Sequence, residues 1–163
     1  MFSVGIITSS DKGFKGERTD LSGPIIAELV EAKGYKIIRQ IIVPDVMEDL
    51  TREMIYMADE LKVDLILTTG GTGFNKRDVT PEATLSVCDR AASGIAEAIR
   101  YHSLSITPRA MLSRAVSGIR GNTLIINLPG SPKAVKEALD YALDSIYHGL
   151  EILTDRASDC ARK

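Results

Sequence analysis

Short apolar runs of strand length alternate with longer amphipathic segments along this chain, and that alternation admits few folds. Ser3 to Thr8 reads as a first strand, followed by a loop rich in Gly, Lys and Asp up to Gly23. Pro24 opens a helix carrying Ile25, Ile26, Leu29 and Val30, and Gly34 ends it. The β-branched run Lys36 to Val43 predicts a second strand. Asp45 to Lys62 places Leu50, Met54, Ile55 and Ala58 near helical period, with Asp45 as N-cap and Glu48 completing a capping-box variant. Leu65-Ile66-Leu67 is a short buried strand that runs into a glycine loop. Pro81, behind Thr80 as N-cap, begins the next helix, and Gly94 separates it from another that runs to about Leu104. Ala115 to Ile119 and Thr123 to Leu128, joined by Gly121-Asn122, read as a hairpin. Ser131 caps a last helix with Pro132 at its first position. Its stripe is Val135, Leu139, Ala142, Leu143, Ile146, Leu150 and Leu153.

This order predicts an α/β domain: a mainly parallel sheet with helices on both faces and one antiparallel hairpin. A chain of 163 residues can bury one sizeable core but not two, so residues 1–154 are expected to form one domain, with 155–163 a polar tail. The net charge of −2 provides no field that would draw nucleic acid or an anionic membrane. Any anionic ligand must therefore be held by local groups. Cys88 and Cys160 have no metal-ligand spacing and His102 and His148 stand alone, which argues against zinc or a disulfide framework and suits a reducing compartment. The apolar run at Val4 is too short for a signal or a membrane span, and a cytoplasmic protein is expected.

In open α/β sheets ligands bind beyond the carboxyl ends of the strands. Four loops there are rich in small and polar residues: Ser9 to Gly23, Val43 to Asp45, Thr69 to Pro81, and Asn127 to Pro132. In the third, Gly70, Gly71 and Gly73 interleave with Thr69 and Thr72, so backbone N–H groups can turn toward an anion. The loop is neither a Walker A sequence nor a G-x-G-x-x-G fingerprint. The glycine cluster alone serves a flexible turn as well as an anion cradle. The positive end of the helix at Thr80-Pro81 favours the cradle, and Lys76 and Arg77 add local charge. Asp78 suits a turn as such. Asp11 and Asp20 read as solvated loop acids; Arg114, Arg120 and Lys133 read as surface charges. Cys88, within a helix, reads as packed rather than nucleophilic. Carboxylates beside a phosphate-binding loop supply the hard oxygen ligands that Mg²⁺ needs.

The segment Leu67 to Thr84, LTTGGTGFNKRDVTPEAT, closely resembles the signature of molybdopterin adenylyltransferases, including the gephyrin G domain. The resemblance continues through Ser22-Gly23-Pro24, Val43-Pro44-Asp45, Ser105 to Pro108, Met111 to Arg114, Gly118 to Gly121 and Leu124 to Pro132. It implies a Rossmann-like three-layer fold, usually trimeric. It also implies transfer of AMP from ATP to the terminal phosphate of molybdopterin with Mg²⁺, releasing pyrophosphate, and a product passed to the molybdenum-insertion enzyme. Carried over residue by residue, it makes Asp45 and Asp78 catalytic and metal-positioning. It gives the nucleotide Thr69, Gly70, Gly71, Thr72, Gly73, Asn127, Pro129, Gly130 and Ser131, and the pterin Ser113, Arg114 and Ser117. Two positions depart from the pattern. Ala92-Ser93-Gly94 replaces an acidic residue followed by Pro-Gly, and Lys76 stands where relatives vary. A non-catalytic molybdopterin carrier or scaffold of the same fold is the alternative, and Arg77-Asp78-Val79-Thr80-Pro81 favours the active branch. Relatives that hydrolyse nucleotide diphosphates carry further domains, for which this chain is expected to have no room.

Overall fold

Strand residues of alternating orientation sort the apolar side chains onto two faces of one sheet. The computed structural model describes residues 1–156. Its strands are β1 (Ser3–Ser9), β2 (Lys36–Val43), β3 (Leu65–Thr69), β4 (Arg90–Ala91), β5 (Ser117–Arg120) and β6 (Thr123–Leu128). The helices are α1 (Asp11–Phe14), α2 (Ser22–Ala32), α3 (Met47–Ile55), α4 (Thr80–Val87), α5 (Ser93–Leu104) and α6 (Pro132–Leu153). The sheet order is β2-β1-β3-β6-β5-β4, with β2, β1, β3 and β6 mutually parallel and β5 antiparallel to both neighbours.

Val4 and Ile6 of β1, Leu65 and Leu67 of β3, and Leu124, Ile126 and Leu128 of β6 face one core, against α2, α5 and α6. Ile7, Ile66 and Ile125 face the other, against α3 and α4. One-residue alternation therefore builds the expected three-layer arrangement, with the sheet buried on both sides. The stripe of α6 carries much of the first core: Val135, Leu139, Ile146 and Leu150 are fully buried. The hairpin closes at Gly121, whose φ of +54° is left-handed. Among the described residues no helix is long and apolar enough to cross a membrane.

Four local expectations change. The helix expected from Asp45 begins at Met47 behind Val46, with no side-chain cap, because the Asp45 carboxylate is drawn to β1 instead. Glu48 and Asp49 in the first turn then meet the helix dipole as charges alone. That helix passes into a wider π turn, Tyr56–Glu60, that ends before Lys62 at φ +54°. Thr80 is not an N-cap either: its hydroxyl donates to the Gly70 carbonyl at 3.0 Å. Gly94 lies inside the first turn of α5, and the break after α4 is made by extended Cys88 and the short edge strand β4. The tail expected from Asp155 onward falls, for residues 157–163, outside the described residues, as does Cys160.

Candidate active site

From β1 the chain moves outward to β2, then crosses back to β3 on the other side of β1. The connections thus diverge between β1 and β3, and a crevice opens beyond their carboxyl ends. A cavity of about 510 Å³ occupies it. Thr8 and Ser9 from the end of β1, and Thr69, Gly70 and Gly71 from the end of β3, form part of its lining. Gly130, Ser131 and Pro132 approach from the β6–α6 turn, Asp45 from the end of β2, and Arg18 to Ser22 from the segment before α2. Asp78 completes the rim.

The glycine loop is shaped by two consecutive left-handed residues, Gly70 at φ +88° and Gly71 at φ +69°. A Cβ on Gly70 would overlap the Ser9 carbonyl oxygen, and one on Gly71 would overlap the Thr80 hydroxyl. Only glycine meets both demands. The loop folds onto the start of α4, where the Thr80 amide donates to the Gly71 carbonyl at 3.1 Å. Among the described residues no protein acceptor takes the amides of Gly71, Thr72 or Gly73, and of these three Gly71 lines the cavity. Neighbouring strand ends are tied to the same wall. Thr69 Oγ1 donates to the Pro129 carbonyl at 2.6 Å, and Ser22 Oγ to the Gly130 carbonyl at 2.8 Å.

Each acid of the rim is held in place. Asp20 accepts from the Thr8 hydroxyl at 2.7 Å and from the amides of Ser22 and Gly23 at 3.1 and 3.0 Å, so it caps α2 from two residues upstream of Ser22. It is not the free loop acid expected from the sequence. Asp45 accepts from the Ser9 hydroxyl at 2.6 Å and from the Asp11 amide at 2.9 Å. Asp78 closes a turn, but with backbone behind it rather than two residues on, where the Thr80 amide goes to Gly71: its amide is bonded to the Asn75 carbonyl at 2.9 Å and its Oδ2 accepts the Asn75 amide at 3.0 Å. The turn leaves Oδ1 without a protein donor among the described residues. Asp78 therefore turns the loop and faces the cavity at once.

The lining holds three acids, Asp20, Asp45 and Asp78, and one cation, Arg18. Arg18 is exposed and has no ion partner among the described residues. Arg77 is engaged elsewhere: its guanidinium takes both Asp11 oxygens, at 2.9 and 2.8 Å. The Arg77 hydrogen bonds hold the Asp11 carboxyl below the usual carboxylate range, and Asp11 in turn raises Arg77. Glu82 is likewise lowered by hydrogen bonding from Arg114. Among the described residues no three His, Cys, Asp or Glu side chains cluster as a protein-only metal site. Asp45 and Asp78 nonetheless suit Mg²⁺, which is commonly bound by one or two carboxylates together with substrate phosphates and water.

A family model described as "Probable molybdopterin binding domain" matches residues 5–148. The chain belongs to this family. It is 40% identical to a molybdopterin adenylyltransferase of Helicobacter pylori, over 92% of this chain and 86% of that protein. It is 42% identical to gephyrin of Dictyostelium discoideum over 94% of this chain, but spans only 23% of that longer protein. A crystal structure of the molybdopterin biosynthesis enzyme MoaB from Thermus thermophilus superposes with a TM-score of 0.90 at 46% identity, covering 95% of this chain and 98% of that one. The fold is thus that of the molybdopterin-binding domain family.

Within this family member, seven of the residues expected at the site line the main cavity: Asp45, Asp78, Thr69, Gly70, Gly71, Gly130 and Ser131. Thr72, Gly73, Asn127 and Pro129 do not. The Asn127 side chain is buried, donating to the Thr68 and Thr84 hydroxyls at 3.0 and 2.8 Å and accepting the Val116 amide at 3.1 Å. It joins β3, α4 and the residue before β5, outside the main cavity. Of the residues expected on the pterin side, Ser113 borders a smaller, mostly apolar cavity of about 210 Å³ beside α5 and α6, which Asn127 and Pro129 also touch. Ser117 is buried, its hydroxyl donating to the Ala92 carbonyl at 2.6 Å and accepting the Ala96 amide at 3.1 Å. Arg114 spans the glycine loop. Sequence reasoning missed Ser9, Arg18 and Asp20 at the main cavity. Their signal was position: Ser9 ends the strand beside the switch point, and the other two lie in the loop that follows it.

Proposed function

We propose that this chain is a molybdopterin adenylyltransferase, moving AMP from ATP to the terminal phosphate of molybdopterin and releasing pyrophosphate. The observation that carries this reading is the cavity between β1 and β3, where Gly70 and Gly71 of the glycine loop share the lining with Asp45 and Asp78. An oxygen of the molybdopterin phosphate attacks the α-phosphorus of ATP, a new P–O bond forms, and the bond to the β-phosphate bridging oxygen breaks. The attacking oxygen is already ionised, so no protein base is required. Catalysis rests on positioning and electrostatic stabilisation. Loop amides and Arg18 meet the phosphate oxygens, while Asp45 and Asp78 would hold Mg²⁺, which would neutralise charge on the polyphosphate.

Tyr101 and Leu104 on α5, and Ile106, Met111 and Leu112 beyond it, are exposed apolar side chains that we assign to contacts between copies in a trimer. Sedimentation of the purified protein tests that assignment.

The deciding assay combines the protein with molybdopterin, Mg²⁺ and ATP labelled in the α-phosphate. Stoichiometric pyrophosphate and labelled, adenylylated pterin are the expected products. Pterin binding without pyrophosphate would replace the enzyme by a carrier of the same fold.

A further inference from the structure

The bonds around Asp45 run in both directions. Asp45 Oδ2 accepts the Asp11 amide at 2.9 Å, and Asp11 Oδ1 accepts the Asp45 amide at 3.0 Å. Two reciprocal side-chain-to-main-chain bonds therefore bind the start of the β1 loop to the end of β2. This exchange holds two carboxylates close together, and like charges at such range repel. Arg77 offsets the repulsion from the far side of Asp11, with Nε on Oδ2 at 2.9 Å and Nη2 on Oδ1 at 2.8 Å. A forked, charge-assisted pair of this kind fixes orientation as well as charge. Arg77 directly precedes Asp78, so this ion pair and the reciprocal bonds together connect the loops that carry Asp45 and Asp78, two of the three acids of the rim. Asp45 and Asp78 line the cavity, whereas Asp11 and Arg77 stand outside it.

We propose that Asp11 and Arg77 are positioning residues, which set Asp45 against Asp78 and cancel the charge behind Asp45. The inference rests on the adenylyl-transfer reading for its kinetic consequence only. The Arg77 and Asp11 side chains are 57% and 31% exposed, and ion pairs this open contribute little to global stability. Their effect therefore falls on local geometry. Asp11→Asn retains an oxygen for the Asp45 amide while removing the charge, but turns an N–H₂ toward a guanidinium that can only donate. Arg77→Met leaves the Asp11 charge uncompensated behind Asp45. The double variant removes both conflicts.

The test compares the parent protein, Arg77→Met, Asp11→Asn and the double variant by thermal melting, hydrogen exchange at the Asp11 and Asp45 amides, and turnover. Arg77→Met is expected to melt within about 3 °C of the parent, since an exposed pair carries little stability. It should nonetheless exchange both amides faster and lower kcat on the order of 10-fold or more, a loss of about 1.4 kcal/mol or more of transition-state stabilisation. Adding Asp11→Asn should slow the exchange again and recover most of the lost turnover. A double variant no better than Arg77→Met, with KM for ATP raised in both, would overturn the proposal and make Arg77 a direct phosphate ligand. Unchanged amide exchange in Arg77→Met would also overturn it. Exchange is read without substrate, so it stands even if the parent protein transfers no adenylyl group.

Discussion

Arg114 lies across the turn that carries Asp78: its Nε donates to the Gly73 carbonyl and its Nη2 to the Asp78 carbonyl, both at 2.7 Å. Its own amide reaches the Thr72 carbonyl at 2.8 Å, and its remaining arm pairs with Glu82 at the start of α4. One side chain thus fixes both ends of the segment between the last loop glycine and the rim aspartate. Removing it leaves two carbonyls without a charged donor, at roughly 1–3 kcal/mol. Arg114→Ala should lower Tm by several degrees, on the order of 2–4 °C per kcal/mol for a chain of this size. Arg114→Lys should recover only part, because an ammonium cannot span both carbonyls. If Arg114 acts through the loop, KM for ATP rises along with the loss of stability. A selective rise in KM for molybdopterin, with Tm unchanged, would assign it to the pterin instead.

Asp78→Asn separates the turn from the chemistry. The amide oxygen that replaces Oδ2 can still accept the Asn75 amide, so the turn and the melting temperature should persist. The charge facing the cavity is lost. Turnover is expected to fall by roughly 10²-fold or more, about 2.7 kcal/mol of barrier. Near-parental turnover would leave Asp78 with the turn alone. Asp45→Asn is expected to cost activity similarly.

The layers were legible because they depend on apolar period, and burial rewards that period directly. The strand runs Val4 to Ile7, Leu65 to Leu67 and Leu124 to Leu128, with the stripe of α6, sort onto two cores as the pattern requires. Caps were harder to read. Asp45 and Thr80 both look like N-caps in sequence, but each side chain has a partner more than nine residues away, Ser9 and Gly70 respectively. Local spacing cannot weigh a local hydrogen bond against a long-range one, because the sheet order sets the second. Asn127 shows the same limit. It sits at the carboxyl end of β6, as a ligand residue would, yet its side chain turns inward to Thr68, Thr84 and Val116. Arg18 was hidden for the opposite reason: an exposed arginine in a polar loop acquires meaning only when the cavity beside it is known to hold three acids.

Among the described residues Arg18 is the lone cationic side chain of that lining, so on the proposed reaction an incoming polyphosphate is expected to meet it. The residue is exposed, and its replacement should leave stability unchanged within about 0.5 kcal/mol. Arg18→Ala is expected to raise KM for ATP about 5- to 20-fold with little change in kcat, the pattern of a contact made equally in ground and transition states. The effect should shrink as salt is raised. Isothermal titration with an ATP analogue and steady-state kinetics both read it. An unchanged KM would place the polyphosphate away from the loop before α2.

Two weak acids with raised values are expected to make the fold lose stability in alkali. Burial pushes the Cys88 thiol from its ordinary 9.0 up to about 11, which also keeps it protonated and unreactive near neutrality. Between about pH 9 and pH 11 the folded chain keeps a proton that the unfolded chain has lost, so stability falls as pH rises through that window. Tyr35 is also raised, chiefly by burial, and its buried hydroxyl has no hydrogen-bond partner among the described residues. Its loss begins above its ordinary value of 10. Melting curves from pH 8 to 11 should decline less steeply in Cys88→Ala and, at the upper end, in Tyr35→Phe. At pH 8 Tyr35→Phe should match or exceed the parent, since it removes an unsatisfied buried oxygen. Parallel declines in all three proteins would show that neither group governs the loss.

Asn127 provides the sharpest distinction between holding the site and belonging to it. Its amide oxygen takes the Val116 amide where the β5–β6 ladder has yet to begin, and its Nδ2 bridges the Thr68 and Thr84 hydroxyls. Asn127 and the two bonds it donates are buried and the Val116 bond is partly so, and water poorly replaces a buried bond left unmade. Asn127→Ala leaves the Val116 donor unpaired and opens a small void, at a cost of about 2–4 kcal/mol. Asn127→Asp is expected to be worse near neutral pH, because it loses the two donated bonds and buries a charge. Lowering the pH should return part of that loss, as the introduced carboxylate takes up a proton and donates again. Urea unfolding at pH 7 and pH 5 reads both effects, with parental m-values if the denatured state is unaltered. Folded enzyme at low temperature should keep its KM for ATP within about 2-fold in Asn127→Ala, because the side chain lies outside the main cavity. A large rise in KM at parental stability would instead make Asn127 a nucleotide ligand.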